Sequence, residues 1–480
     1  AIKKFSRKLK VFLFKKDNRI LDGYFFILFS IIPITIIIGP ATSLINILLI
    51  NFSFIFLIIY TKEYKFLSNK NVKLILILYL YLIFNSIMSE DFWMSALRNF
   101  GFIRFLILFC AFNYFFHHKI FFDKILVIWS LTLLIMMADT YIESFTGTNM
   151  LGYGETYGKR IVSFFRNEPI VGGYINAFYL IIVGYFFSLR SKFSTNKYLI
   201  FLISLFFLLA IFLTGERSNA IKAIFGFMIF YFINHHFKIK EKLISVLLIL
   251  IVIGSLINNS DFLKLRYNEL LINPILTFFY IEVKKIEHGS DFEVELGSLY
   301  EAYIEHGSDF EVELGSLYKV YKDSGFDGSF NDYLNLSKNV SNLGMYASLY
   351  KSAYSVFKSY PFFGAGNKNY RHVTCAKNKN PKYICTTHPH QTYFEFLSEH
   401  GLIGTIAILY IIFNLVFGKL KIVLQSKNYT QIGCFVFLST SFIPLLPSGA
   451  FFSDYNITIF WLNLSLMYSV NKKTNIFSKN

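Results

Sequence analysis

Short turns between apolar helices rarely keep a charged pair, because helix ends near hydrocarbon penalise ions that lack partners. The stretch FLTGERSNAIKA keeps two, Glu216 and Arg217. Arg217 falls near the start of the next apolar run, where a guanidinium beside exposed helix N–H groups makes an anion site suited to phosphate. A local Glu–Arg pair or a headgroup contact is the alternative reading. Further on, SYPFFGAGNKNYRHVTC reads as a Gly-rich turn after a helix. Gly364 and Gly366 would let the backbone approach a ligand, with Lys368 and Arg371 just beyond. THPHQTYFEFLSEHGLIG then places His388 and His390 immediately before an amphipathic helix. Imidazole takes up a proton near neutral pH without assistance, so the pair is a general-base candidate. Helix-capping or interfacial histidines would leave the same H-x-H pattern. GKRIVSFFRNEPIVGGY contributes Arg160, Arg166 and Glu168, and Arg266 stands alone. Arginines from several loops converging above a helical bundle suit a polyanion, and a pyrophosphate at a membrane surface is the obvious one. No Cys or His spacing resembles a zinc site, and no metal or cofactor is expected.

The elements that must position these residues are apolar helices. The 480 residues are 54% hydrophobic and 19% aromatic, mean hydropathy is +0.48, and only 16% are charged against about 25% in an average soluble domain. A soluble fold could not hide that much apolar surface. Apolar runs of roughly 17 to 25 residues, each able to cross ~30 Å of hydrocarbon, predict an all-α polytopic membrane protein of about 12 transmembrane helices. The spans fall near 24–39, 44–60, 72–88, 100–116, 120–142, 169–189, 198–214, 218–234, 241–257, 392–417, 430–447 and 452–470.

A formal net charge of +17 would suggest nucleic acid in a soluble protein, but in a membrane protein the placement of Lys and Arg carries the information. No nucleic-acid partner is expected. The N-terminus (1–23) is basic, and alternate short loops carry Lys62, Lys65 and Lys70, then Lys119, Arg190, Lys192 and Lys197, then Lys238 and Lys240, then Lys419, Lys421 and Lys427. The C-terminus (471–480) adds Lys472, Lys473 and Lys479. The positive-inside rule puts these segments and both termini in the cytoplasm. The intervening short loops, Gly39 to Ser43, Ser89 to Asn99 and Pro447 to Asp454, are nearly free of Lys and Arg. Spans 1–9 then occupy 24–257, a large outward loop 258–391, and spans 10–12 the stretch 392–470. That loop contains a tandem 18-residue repeat, IEHGSDFEVELGSLY at 286–300 and again at 304–318, which reads as a duplication tolerated in an exposed loop. Cys375 and Cys385 lie ten apart in the same loop, and in an oxidising compartment they are expected to form a disulfide. Cys110 and Cys434 fall inside spans as small apolar residues.

The motifs resemble those of the bacterial O-antigen ligase and O-antigen polymerase superfamily, membrane glycosyltransferases acting on undecaprenyl-pyrophosphate-linked sugars. TGERSN at 214–219 resembles the family's outward Arg turn, PFFGAGNKNYR at 361–371 its Pro, Gly-x-Gly, Asn, aromatic, Arg stretch, and HPHQTYFEFLSEHGLIG at 388–404 its His-Asn helix. RIVSFFRNEPIVGGY is a looser match. Gln391 stands where the family usually has Asn. The resemblance implies that Arg217 holds the donor pyrophosphate, that Arg371 assists or lines the site, and that His390 activates the acceptor hydroxyl. It further implies an inverting, metal-independent transfer in the bacterial inner membrane, with the outward side periplasmic. The partners implied are an undecaprenyl-pyrophosphate-linked glycan donor, a glycan or lipid A-core acceptor, and membrane lipids. Arg166, Arg160, Glu216, Lys368 and His388 are the further candidates for substrate contact. Ligase and polymerase use the same donor and differ in acceptor, so both readings stand. A twelve-span secondary transporter is the reading of a different class; it would show two similar halves and midplane charges, whereas the charges here gather in outward loops.

Overall fold

The computed structural model describes residues 19–118, 122–154, 160–166, 168–193, 196–267, 346–377 and 379–478. The basic N-terminus up to residue 18, Lys119 and both copies of the repeat lie outside the described residues. Among the described residues the chain is all-helical. In order it forms α1 (Arg19–Ser30), α2 (Ile32–Ile38), α3 (Pro40–Thr61), α4 (Lys70–Ile87), α5 (Phe92–Gly101), α6 (Ile103–His118), α7 (Phe122–Thr146), α8 (Val171–Phe193) and α9 (Lys197–Leu213). There follow α10 (Arg217–Ile233), α11 (Ile239–Asn259), α12 (Tyr370–Thr374), α13 (Thr392–Phe417), α14 (Leu420–Gln425), α15 (Tyr429–Thr440) and α16 (Asp454–Ser469). Seven helical stretches are long and apolar enough to cross a membrane, and α9 is a shorter apolar helix.

The described residues fall into two compact units, one drawn from Ala1–Ile249 and Ala353–Asn480, the other from Leu250–Ser352. The stretch 353–391, the last part of the expected outward loop, thus belongs with the helical unit. In the second unit α11 runs out at Asn259, and Ser260 Oγ accepts from Leu263 N at 3.4 Å to start the turn Asp261–Leu263. Arg266 lies in this unit, half-buried.

In the first unit α8 is the axis: its apolar window is 83% buried, against 22–61% in the other six spanning stretches. It packs on α15, α9, α10 and α7, while α16 packs on α6 and α15. Association between apolar helices needs close backbone approach and polar links, since lipid tails are as apolar as the side chains. Both are present. Gly184 of α8 and Gly433 of α15 each face the other helix's backbone, and a Cβ at either would collide with it. Gln431 Nε2 donates to Met467 O at 2.6 Å, and Asn463 Nδ2 to Ala177 O at 3.2 Å.

Three connections differ from the sequence reading. The expected loop Ser89 to Asn99 is mostly helix α5, which turns its polar side inward: Ser95 and Asn99 are buried while Trp93 is 72% and Leu97 78% exposed. A helix with that polarity suits an interfacial position, with its aromatic residues toward lipid. The eleventh apolar run does not stay helical to 447; α15 ends at Thr440. Pro444 and Pro447 cannot supply the backbone N–H a helix needs and push the preceding residue out of the helical region. Residues 441–453 are therefore free to cross the head of the bundle. At the other junction the expected loop Gly39 to Ser43 shrinks to Gly39 alone (φ 143°), with Pro40 opening α3.

Candidate functional site

The Arg217 turn is built around its neighbour. Glu216 is buried, and its carboxylate accepts from Gly172 N at 2.6 Å and Gly173 N at 3.1 Å, with Asn219 Nδ2 donating at 2.6 Å. These are orphan N–H groups at the first turn of α8, where negative charge is favoured. A Cβ at 172 would lie 2.6 Å from Thr214 Oγ1 and one at 173 would lie 3.0 Å from Asn219 Nδ2, so the two glycines leave room for this close approach. Burial pushes the Glu216 carboxyl up, opposed by Asn219, the Gly172 and Gly173 N–H groups and the nearby Arg160 guanidinium. Glu216 was expected to contact substrate; its oxygens are instead taken up by α8 and Asn219. The effect is to fix Arg217, half-buried, as the first residue of α10.

Arg160 and Arg166 sit on the loop after α7, which two carboxylates pin down. Glu143 accepts from Val162 N (2.9 Å) and Ser163 N (2.6 Å). Asp139 accepts from Ser163 Oγ and from Met150 N (2.8 Å). Arg160 Nη2 donates to Pro169 O at 3.2 Å. Arg166 is exposed, with left-handed backbone (φ 59°). It lines a cavity of about 770 Å³ together with Ile36, Ile38, Arg104, Asp454 and Tyr455.

The histidine half of the site rests on an interlock between the Gly-rich stretch and α13. Gly364 (φ 72°) and Gly401 (φ 66°) each take a conformation disfavoured for other residues, and a Cβ at either would collide with backbone of the opposite segment, Glu399 and Phe362 respectively. Ala365 N and Gly366 N donate to Ser398 O and Glu399 O at 2.9 and 3.0 Å. The glycines thus admit the protein's own backbone, where the sequence reading had expected a ligand. Buried asparagines tie the same loop to α4 and α5: Asn367 N donates to Asn85 Oδ1 (2.8 Å), Asn367 Nδ2 to Asn99 Oδ1 (2.5 Å) and Asn369 Nδ2 to Ser95 Oγ (2.7 Å).

Lys368, left-handed at φ 66°, lies within electrostatic reach of His388 and of Glu395 and Glu399 on α13. The His388 and His390 rings are 4.1 Å apart. Burial lowers both pKa values. His388, next to His390 and Lys368, is pushed down to about 4, and His390 moves the same way by burial alone. Both are therefore neutral at pH 7, the form that accepts a proton. His388 Nδ1 lies 3.0 Å from Thr387 Oγ1. His390 has a left-handed backbone (φ 58°), and its carbonyl accepts from Ser448 N at 2.8 Å. Gln391 caps α13 by accepting from Phe394 N at 2.9 Å, a task Asn would also perform.

The crossing segment 441–455 links the two halves. Beyond Ser448 it brings Phe451 N to Glu395 Oε2 at 2.8 Å. It ends at Tyr455, whose hydroxyl donates to Ile170 O at 3.3 Å beside the start of α8, within electrostatic reach of Glu216 and Glu168. Lys368, His388 and His390 are thus brought together, and Arg160 with Glu216 beside Arg217. Arg371 is exposed on α12. Cys375 and Cys385 form a disulfide just beyond it.

Sequence reasoning passed over Glu395 and Glu399, although carboxylates at i and i+4 inside an apolar run were a signal. It also missed Asp454, which bridges Arg98 and Arg104 (2.8 Å to Arg104); nothing local announces a partnership across 350 residues. Ser448 acts through its backbone and leaves no sequence signal.

Residues 201–409 match the family model described as O-Antigen ligase. The matched stretch contains Arg217, Lys368, Arg371, His388 and His390, while Arg160 and Arg166 fall before it. No curated protein matches the chain. Over residues 201–409 the chain is thus similar to the O-antigen ligase family, and its seven long apolar helical stretches are those expected of a membrane protein.

Proposed function

We propose that the protein transfers a glycan from undecaprenyl-pyrophosphate to an acceptor hydroxyl at the periplasmic face of the bacterial inner membrane, as an O-antigen ligase would with lipid A-core as acceptor. The observation that carries this reading is the His388–His390 pair, 4.1 Å ring to ring, joined through the 441–455 segment to the turn that holds Arg217. His390 takes the acceptor hydroxyl proton, the oxygen attacks the anomeric carbon from the face opposite the pyrophosphate, and the carbon–oxygen bond to pyrophosphate breaks with inversion. Arg217 neutralises the leaving charge with a bidentate guanidinium. Arg371, Arg166 and Arg160 supply further positive charge toward donor or acceptor. Lys368 and His388 orient His390. A lipid pyrophosphate is already an activated leaving group, so proton removal and fixed cations suffice without a metal.

The same reading includes twelve spans, cytoplasmic termini, and residues 258–391 outside, the repeat among them. Polymerisation onto a second lipid-linked glycan uses the same donor chemistry. Surface glycan from a deletion strain separates the two: full-length chains unattached to core support ligation, attached but short chains support polymerisation. A normal glycan profile in that strain would contradict both.

A further inference from the structure

A second cavity, of about 740 Å³, lies at the end of the bundle away from the histidines. Its walls include Asn414 and Gly418 at the end of α13, whereas His390 precedes the start of that helix. From the kink at Gly401 to its end at Phe417 the helix alone extends roughly 25 Å at about 1.5 Å per residue. Four lysines line the cavity: Lys62, Lys65 and Lys70 from the turn between α3 and α4, and Lys419 from the turn after α13. Glu63 is the single acidic residue in the lining. None of the four ammonium groups has a hydrogen bond or ion pair among the described residues. As topogenic charge these lysines need no geometry, yet two chain segments distant in sequence bring them to one concavity.

The floor is apolar and held in place. Phe66 and Ile476 are buried, and the Phe66 and Phe477 rings pack at 5.1 Å. Asn475 Nδ2 and Ile476 N bond to Asn113 of α6 at 2.8 and 3.2 Å, which fixes the third wall. A cationic rim over an apolar floor, at the basic end of a membrane bundle, matches a phosphate head with the start of its acyl chains. The volume falls in the range of sites for small ligands. Inorganic phosphate would use the rim and leave the floor unfilled. The geometry points to a binding site for an anionic phospholipid, its phosphate held by Lys62, Lys65, Lys70 and Lys419 and its glycerol and upper chains on Phe66, Leu74 and Phe477. The site is independent of the transfer reaction.

The test uses the full chain in phosphatidylcholine nanodiscs, titrated with phosphatidylglycerol, with bound lipid counted by native mass spectrometry. The variant K62Q/K65Q/K70Q/K419Q is compared with wild type and with K238Q/K240Q/K472Q/K473Q, which removes the same charge elsewhere. The cavity variant should bind phosphatidylglycerol at least about tenfold more weakly, and the charge-matched control should bind as wild type does. Inorganic phosphate at equal concentration should not compete. Equal binding by the cavity variant and the control overturns the proposal, as does full competition by inorganic phosphate. Should the cavity variant fail to fold, photo-crosslinking of phosphatidylglycerol to wild type decides: adducts at Leu74 or Phe477 support the site, and adducts confined to other residues refute it.

Discussion

At the residue scale, a side chain's chemistry was legible where a short motif contained it and opaque where its partner lay far along the chain. His390 and Arg217 could be singled out from their own turns. Glu216 could not be interpreted that way, because the N–H groups it accepts from belong to Gly172 and Gly173. Removing it strands those donors in a buried place, so Glu216→Ala should lower stability by about 2 kcal/mol or more. Arg217→Ala should leave the melting temperature near wild type. Thermal unfolding of the two purified variants checks this; equal stability would show that Glu216 does not hold the turn. His388 offers a pH test. Its folded pKa, about 4, lies below the ordinary 6.5, so between those values the unfolded chain binds more protons and stability falls as pH falls. His388→Asn should flatten the decline in melting temperature from pH 6.5 to 4 relative to wild type. An unchanged slope would contradict a half-buried, neutral His388.

At the element scale, hydrophobic length located the helices, while their ends and faces depended on tertiary partners. The α15 run reads as continuous apolar sequence to 447, yet it stops at Thr440 and hands the next residues to Glu395 and His390. The α5 helix shows its apolar side to the outside because its polar side serves Asn367 and Asn369, far along the chain. The glycines at 364 and 366 were visible as turn formers, but Gly401 was not, nor was the interlock the two segments make. Gly401 sits at φ 66°, ψ −171° inside α13, a region essentially reserved for glycine, where another residue costs of order 1–3 kcal/mol. Gly401→Ala adds a collision with Phe362. It should reduce both thermal stability and transfer activity while leaving the Cys375–Cys385 disulfide formed, as measured by unreduced peptide mapping. Wild-type stability in this variant would mean that the kink does not hold the histidine loop.

At the scale of the whole molecule, composition sufficed for the membrane class, and the basic loops supply an orientation to be tested. The alternation of Lys-bearing and Lys-poor connections predicts the repeat outside and the termini inside. A cysteine placed at Ser290 should react with a membrane-impermeant maleimide added to intact spheroplasts, since Cys110 and Cys434 are buried and Cys375 and Cys385 are paired. Failure to label there, with labelling at a terminus, would reverse the topology. The division of labour between His390 and Arg217 is the central claim, and one measurement reaches it most directly: donor binding and single-turnover transfer by purified His390→Ala and Arg217→Lys, assayed with lipid-pyrophosphate donor in detergent plus chelator. His390→Ala should bind donor as wild type does and lose about 10²- to 10⁴-fold in turnover. Arg217→Lys should bind donor more weakly and turn over slowly, because a point charge does not reproduce the guanidinium fork. Near-normal turnover in His390→Ala, or arrest of the wild type by the chelator, would contradict the account.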